Sequence, residues 1–355
     1  MNKSNQKRYA SFGFRITAGN SRGGGKINIH MSDSLEIQYK DIISVENLFE
    51  AWREFVRGKK NKKDVSEFSL SLAHNVFKLH EELKNKTYKH SSYTAFNISD
   101  PKPRSIHKAS VKDRLLHHAI YRILYPYSDK KFIHDSYSCR LNKGTHKAMS
   151  RFQEIAYRAS QAHTKTIWIL KCDIRKFFAS IDQKILIEIL KKHIKDADTI
   201  WLLERVIESF DSGMKGRGLP LGNLTSQLLV NIYMNEFDQY IKQELKVKYY
   251  IRYADDFIVT TIYRSNIEEL LSDIKSFLRN RLNLELHPSK VSIKTLSSGI
   301  DFLGWIHFPN HRVLRISTKR RMIKKLKDNS DYQIKQSYLG LLRHGNTYKL
   351  KQKML

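Results

Sequence analysis

Cysteine is nearly absent from this chain. Cys139 and Cys172 are the two in 355 residues, and they form no CxxC pair. A disulfide framework and a cysteine-built zinc site are both unsupported, and a reducing cytoplasm is the expected setting. Long apolar runs are also missing. None approaches the roughly 18 residues that a membrane-spanning helix needs, and the opening "MNKSNQKRYASFGFR" lacks the apolar centre of a secretion signal. No membrane partner is expected. Acidic side chains are scarce: 35 Asp and Glu face 64 Lys and Arg, a formal charge of +29. A folded domain with that excess needs a polyanion to neutralise it, and nucleic acid is the leading candidate. There is no internal repeat and no long low-complexity linker.

What is present points to a globular chain. Hydrophobic residues make up 41% and aromatics 11%, which excludes a disordered chain. The length suffices for two or three lobes sharing a core. Residues 1–35, with "GNSRGGGK" at their centre, are expected to form a flexible tail. From Ser44, a plausible N-cap, the apolar spacing is helical: Leu48, Phe49, Trp52, Phe55 and Val56 share a face. A basic loop follows at 57–64, then a second helix carrying Phe68, Leu72, Val76, Leu79 and Leu83. Residues 88–108 are expected to be extended and 110–125 helical. "TIWILKCDI" (Thr166 to Ile174) is a strand, followed by two helices up to about Phe210. A turn-rich loop, "GRGLPLG", precedes one long helix from Asn223 to Leu245, capped by Asn223 or Thr225. "KYYIRYADDFIV" is expected to be strand, turn and strand. A helix covers about 265–282, short strands run to about Ile316, and the end is helical and basic. Helices on an antiparallel or mixed sheet make this an α+β fold.

Two adjacent carboxylates interrupt the apolar run from Lys248 to Val259. Successive side chains of a strand point to opposite faces, so Asp255 and Asp256 fit better at a hairpin tip. An acidic turn alone would explain them. However, Asp173 ends another apolar strand, and a strand end is well placed to meet a hairpin tip. Three converging carboxylates repel unless divalent cations neutralise them, and hard oxygen ligands select Mg²⁺ or Mn²⁺. Two such ions suit an in-line phosphoryl displacement, here nucleotidyl transfer.

"YADD" between apolar strands, preceded by "LKCDIRKFF", resembles the palm of reverse transcriptases. Five further blocks follow the family's order: "KPRSIHKASVKDRLLHHAI", "SYSCRLNKGTHKAM", "LPLGNLTSQLLVNIYMNEFD", "LHPSKVSI" and "GIDFLGW". The resemblance runs from about residue 45 to the end. It implies a right-hand polymerase whose fingers and palm span 36–308, the palm being an antiparallel sheet with packed helices. A short basic helical thumb would span 309–355. It also implies an RNA template, an RNA–DNA hybrid, deoxynucleoside triphosphates and two Mg²⁺ ions, with Mn²⁺ as a possible substitute.

Residue by residue, the resemblance makes Asp173, Asp255 and Asp256 the catalytic metal ligands, with the Ile174 carbonyl as a backbone ligand and Asp256 the more peripheral acid. Arg104 is the expected triphosphate clamp, since guanidinium offers a bidentate fork to phosphate, and Lys102 is a weaker candidate. Lys290 is expected near the nucleotide. Phe178 resembles a steric gate against the ribose 2′-hydroxyl, leaving Phe177 for the core. Leu221 and Gly222 line the nucleotide pocket, and Leu303 and Gly304 form the primer grip. "KRRMIKKLK" in the thumb is a plausible contact for the hybrid backbone.

One block departs from the family's usual form. Leu221 stands where Gln is usual and Gln227 where Pro is usual. This resembles the enzymes of diversity-generating retroelements, which copy a template-repeat RNA with errors at adenine. Leu221, Gln227 and Arg104 are the expected fidelity residues, because Leu cannot make the hydrogen bonds of Gln. That resemblance implies a bacterial or phage-encoded protein with a small basic accessory partner. Two alternatives stay open. One is a reverse transcriptase with another role, such as phage defence or retron or group II intron functions. The other is a non-catalytic RNA-binding protein on a polymerase scaffold. The expected cluster of acids in a basic groove argues against the second.

Overall fold

The computed structural model describes residues 37–99, 103–328 and 331–352. The tail expected at 1–35 and the candidate Lys102 lie outside them. The chain opens with four helices, α1 (Tyr39–Ile43), α2 (Val45–Phe55), α3 (Lys63–Leu70) and α4 (Leu72–Lys84). Ser44 caps α2 as expected, its Oγ accepting the Asn47 N–H at 3.2 Å. The second helix expected from the spacing is broken at Ser71 into α3 and α4. A hairpin of β1 (Thr94–Ile98) and β2 (Arg104–Lys108) follows, in the segment expected to be extended.

The next helix, α5 (Val111–Lys131), outruns the expected end at 125 and continues through Pro126. A proline inside a helix removes one backbone bond, and here Leu124, Tyr125 and Ser128 are buried on either side of it. Packing therefore overrides the local penalty. The chain continues through α6 (Thr145–Ala159), β3 (Trp168–Asp173), α7 (Phe177–Ser180), α8 (Gln183–His193) and α9 (Ala197–Ile207). Helix α10 (Leu224–Gln239) is apolar on most sides, and Leu228, Leu229, Val230, Ile232, Tyr233, Met234 and Phe237 are all buried. It is the central helix of the core, and it passes into a π-helical turn at Tyr240–Glu244.

The strands β4 (Tyr249–Tyr253) and β5 (Asp256–Thr261) precede α11 (Ser265–Leu282), whose bounds match the sequence expectation. Then come β6 (Ser292–Thr295), β7 (Ile300–Phe302), β8 (Trp305–His307), β9 (Arg312–Leu314), α12 (Ile316–Asp328), α13 (Tyr332–Leu342) and α14 (Tyr348–Gln352). Among the described residues the strands form three antiparallel sheets. One is the β1–β2 hairpin, one is a four-stranded sheet in the order β4-β5-β3-β6, and one is the β7-β8-β9 meander.

The four-stranded sheet separates two cores by strand alternation. Leu170, Cys172, Phe257 and Val259 face the large core of α5, α8, α9, α10 and α11. Ile169, Ile251 and Ile258 face a smaller cluster with Phe152 of α6 and Phe302 of β7. A third cluster of Met149, Trp305, Leu314, Met322 and Leu342 fastens the C-terminal helices to this frame. Gly345 lies flat on Trp305, where a Cβ would come within 2.1 Å of the indole. This is the expected α+β architecture of helices packed on antiparallel sheets.

Candidate active site

Strand alternation places Asp173 at the end of β3, and antiparallel pairing sets it opposite Asp256, the first residue of β5. Ala254 and Asp255 form the turn between β4 and β5, with Ala254 in the left-handed region at φ 56°. The end of β3 is tied on both sides. The Ile174 N–H donates to the Asp255 carbonyl at 3.2 Å, while the His287 N–H donates to the Asp173 carbonyl at 2.7 Å. Ile174 itself is buried and bridges to Leu286. The backbone pairing therefore places the three acidic positions and Ile174 side by side.

Their side chains meet lysines before they meet one another. Lys290 Nζ lies 2.7 Å from Asp173 Oδ1, and Lys171 Nζ lies 3.3 Å from Asp256 Oδ2. Among the described residues no three acidic, histidine or cysteine side chains are close enough together to hold an ion. The expected three-carboxylate cage is not closed in this arrangement, because two of its members are turned toward ammonium groups. Asp255 feels both burial and the Asp173 charge, and its carboxyl is pushed above the usual range despite Lys290 and Arg104 nearby. Burial pushes Asp256 up to about 7, with Asp255 adding to the rise and Lys171 opposing it. Asp256 Oδ1 is buried without a hydrogen-bond partner. Desolvated carboxylates with a spare oxygen beside a like charge are a donor set suited to a hard divalent cation.

Three elements meet at the loop before α10. The loop before α10 is laced to β2: His107 N–H donates to the Leu221 carbonyl at 3.0 Å, and Asn223 Nδ2 donates to the His107 carbonyl at 2.7 Å. Asn223 therefore precedes α10 as expected, but its side chain serves β2 and makes no cap bond. Gly222 has φ +107°, and a Cβ there would come within 2.7 Å of Ile106. Leu219 N–H donates to the Phe178 carbonyl at 2.8 Å, which joins α7 to the same loop. Phe178 is half-buried while Phe177 is in the core. Arg104 stands exposed at the start of β2, close enough to Asp255 to act on its charge. Gln227 is half-buried in the first turn of α10.

Leu303 and Gly304, at φ 52° and 88°, are the two tip residues of the β7–β8 hairpin. Two positive φ values define the tight turn that matches strand twist. The Gly304 carbonyl accepts the Arg315 N–H at 3.1 Å, linking this tip to the start of α12.

Lys171 and Arg252 were not singled out from the sequence. Arg252 is fully buried in β4 and paired with Asp238 of α10. The available signal was a charged residue inside the apolar run "YYIRYA".

Comparison with known proteins fits this geometry. The profile of the reverse transcriptase (RNA-dependent DNA polymerase) family matches residues 89–307, well over half of the chain. This chain belongs to the reverse transcriptase family. Protein YkfC of Escherichia coli is 24% identical over 254 residues, covering 61% of this chain and 65% of that protein. The group II intron-encoded protein LtrA of Lactococcus lactis is 23% identical over 317 residues, covering 69% of this chain and 51% of LtrA. The chain thus spans less than two thirds of the length of these relatives. The solved apo telomerase of Candida tropicalis, truncated from its C-terminal domain, covers 68% of this chain and 60% of that one at 13% identity, with a TM-score of 0.47. No described helix of this reverse transcriptase chain is long and apolar enough to cross a membrane.

Proposed function

We propose that this chain is an RNA-directed DNA polymerase of the diversity-generating retroelement type, copying a template-repeat RNA into cDNA with errors at adenine. The observation that carries the polymerase reading is the meeting of Asp173 with the Asp255 turn, beside Arg104 and Lys290. A non-catalytic RNA-binding protein has no use for desolvated carboxylates in a chain of charge +29. Asp173, Asp255, Asp256 and the Ile174 carbonyl would hold two Mg²⁺ ions. When bound, those ions supply activation of the primer 3′-hydroxyl and neutralisation of the triphosphate. The protein's own part is positioning. Arg104, with Lys102, clamps the phosphates, and Lys290 leaves Asp173 for the incoming nucleotide. Phe178 excludes a 2′-hydroxyl, and the Leu303–Gly304 tip holds the primer strand. The Lys and Arg excess grips the RNA–DNA hybrid through its backbone.

The retroelement reading rests on Leu221. Its carbonyl is fixed to β2, so the backbone of the pocket is held while the side chain offers no hydrogen bond to the nucleotide. Loss of one such bond weakens discrimination by about 1–3 kcal/mol. A small basic accessory protein is the proposed partner. A second reading, a group II intron role, is favoured by the likeness to LtrA. Primer extension on an RNA template, with products sequenced, separates them. The retroelement reading expects misincorporation opposite adenine that falls about tenfold or more in Leu221→Gln. Accurate copying by the unaltered chain would refute it, and no DNA product would refute the polymerase reading.

A further inference from the structure

We propose that Arg252 is a positioning residue for the aspartate turn, holding the Ala254 carbonyl, and with it the backbone of Asp255, from a buried ion pair with Asp238. The inference rests on the polymerase reading above. Arg252 and Asp238 are both 0% exposed, and the pair is bidentate: Nε to Oδ1 at 2.7 Å and Nη2 to Oδ2 at 2.6 Å. A buried ion pair adds little stability over apolar residues of the same volume, so its stability alone does not account for it. The remaining guanidinium nitrogen shows where it is aimed. Nη1 donates to the Ala254 carbonyl at 3.0 Å.

That carbonyl belongs to a strained residue. Ala254 has φ 56°, a conformation that its Cβ disfavours. The next carbonyl, that of Asp255, takes the Ile174 N–H from β3. The two consecutive peptides of the turn are thus gripped from opposite sides, one by the core and one by the strand that carries Asp173. The core grip is itself fixed. Tyr250 donates to Asp238 Oδ1 at 2.7 Å, Nη2 reaches Ser136 Oγ at 3.2 Å, and the Arg252 N–H donates to the Asp135 carbonyl at 2.9 Å. A guanidinium spans Asp238 and the Ala254 carbonyl because its donors form a rigid fork, whereas a lysine ammonium is a compact point.

The test uses the full chain and two variants that keep the charge pair, Arg252→Lys and Asp238→Glu, with Tyr233→Phe as a control. Three quantities are measured: thermal unfolding, primer-extension kcat and KM against Mg²⁺ concentration, and Mn²⁺ binding followed by electron paramagnetic resonance without primer or nucleotide. Expected are folded variants whose kcat falls about 10–100-fold, the scale of a small misplacement of reacting groups. Nucleotide KM should change little, half-maximal Mg²⁺ should rise several-fold, and Mn²⁺ binding should weaken. Tyr233→Phe, which cuts a buried bond from α10 to the Leu282 carbonyl away from the turn, should keep both the rate and the Mg²⁺ requirement within about twofold. A folded Arg252→Lys or Asp238→Glu with unaltered rate and ion dependence would overturn the proposal. So would an equal loss in Tyr233→Phe, or failure of both charge-keeping variants to fold, since the pair would then simply hold the core together. An unaltered chain that extends no primer refutes the polymerase reading, while Mn²⁺ binding still decides the positioning claim.

Discussion

Replacing Asp256 by Asn should stabilise the protein in the absence of divalent ions, and by an amount that grows with pH. Asp256 is 18% exposed and its carboxyl is raised from 3.8 to about 7, chiefly by burial. A carboxyl raised on folding contributes stability that is fully present below its unfolded value and is lost as pH rises through the folded one. For Asp256 that window runs from about pH 4 to about pH 7. Each unit costs about 1.4 kcal/mol, so between pH 5 and pH 8 the native protein loses about 2–3 kcal/mol at this one side chain. Asn cannot ionise and loses none of it. Asn also weakens the contact with Lys171, 3.3 Å away, whose opposing pull is already part of what sets Asp256 at about 7. The assay is thermal or urea unfolding of both proteins in EDTA at pH 5 and pH 8. The difference between variant and parent should move toward the variant by about 2–3 kcal/mol, or roughly 3–4 °C for a chain of this size. Mg²⁺ should restore much of the parent's stability and do little for the variant. A difference that stays flat with pH, or grows toward acid, would refute the desolvation argument and with it the case for Asp256 as a carboxylate awaiting a cation.

Asp173→Asn and Asp255→Ala should each abolish primer extension by at least about 10³-fold with the far-ultraviolet circular dichroism unaltered. Residual polymerisation near the parent rate would remove them from the site. Phe178→Ala should admit ribonucleotides, measured as a drop of about tenfold or more in the ratio of deoxynucleotide to ribonucleotide kcat/KM. An unaltered ratio would leave Phe178 as a packing residue. Gly222→Ala places a Cβ against Ile106 at a φ that only glycine adopts easily, costing about 1–3 kcal/mol. Nucleotide KM should rise as Leu221 is pushed off β2, and an unaltered KM would show that the loop is not part of the pocket.

Much of the fold was legible because its signals are local. The bounds of α11, the Ser44 cap and the β3 strand follow from periodicity and capping chemistry over a few residues. The breaks in that record are places where distant packing decides. Ser71 splits an unbroken apolar pattern into α3 and α4, α5 runs through Pro126, and the expected long helix after Asn223 turns π-helical at Tyr240. Asn223 is the clearest instance. Its position before a helix predicts a cap, yet β2 offers the His107 carbonyl at 2.7 Å and takes the side chain.

The sequence by itself singled out the groups proposed to carry the chemistry. A carboxylate costs so much inside an apolar strand that Asp173, Asp255 and Asp256 stand out against their neighbours without any structure. It also pointed to a polyanion as the expected partner, since charge is additive and needs no coordinates. Tertiary structure decided how those groups are held. It turned Asp173 toward Lys290 and Asp256 toward Lys171, laced Leu221 to the β1–β2 hairpin, and placed Arg252 beneath Ala254. Each of these depends on residues far apart in the chain or on the direction a buried side chain takes, and neither is written in the spacing of residues along a strand or helix.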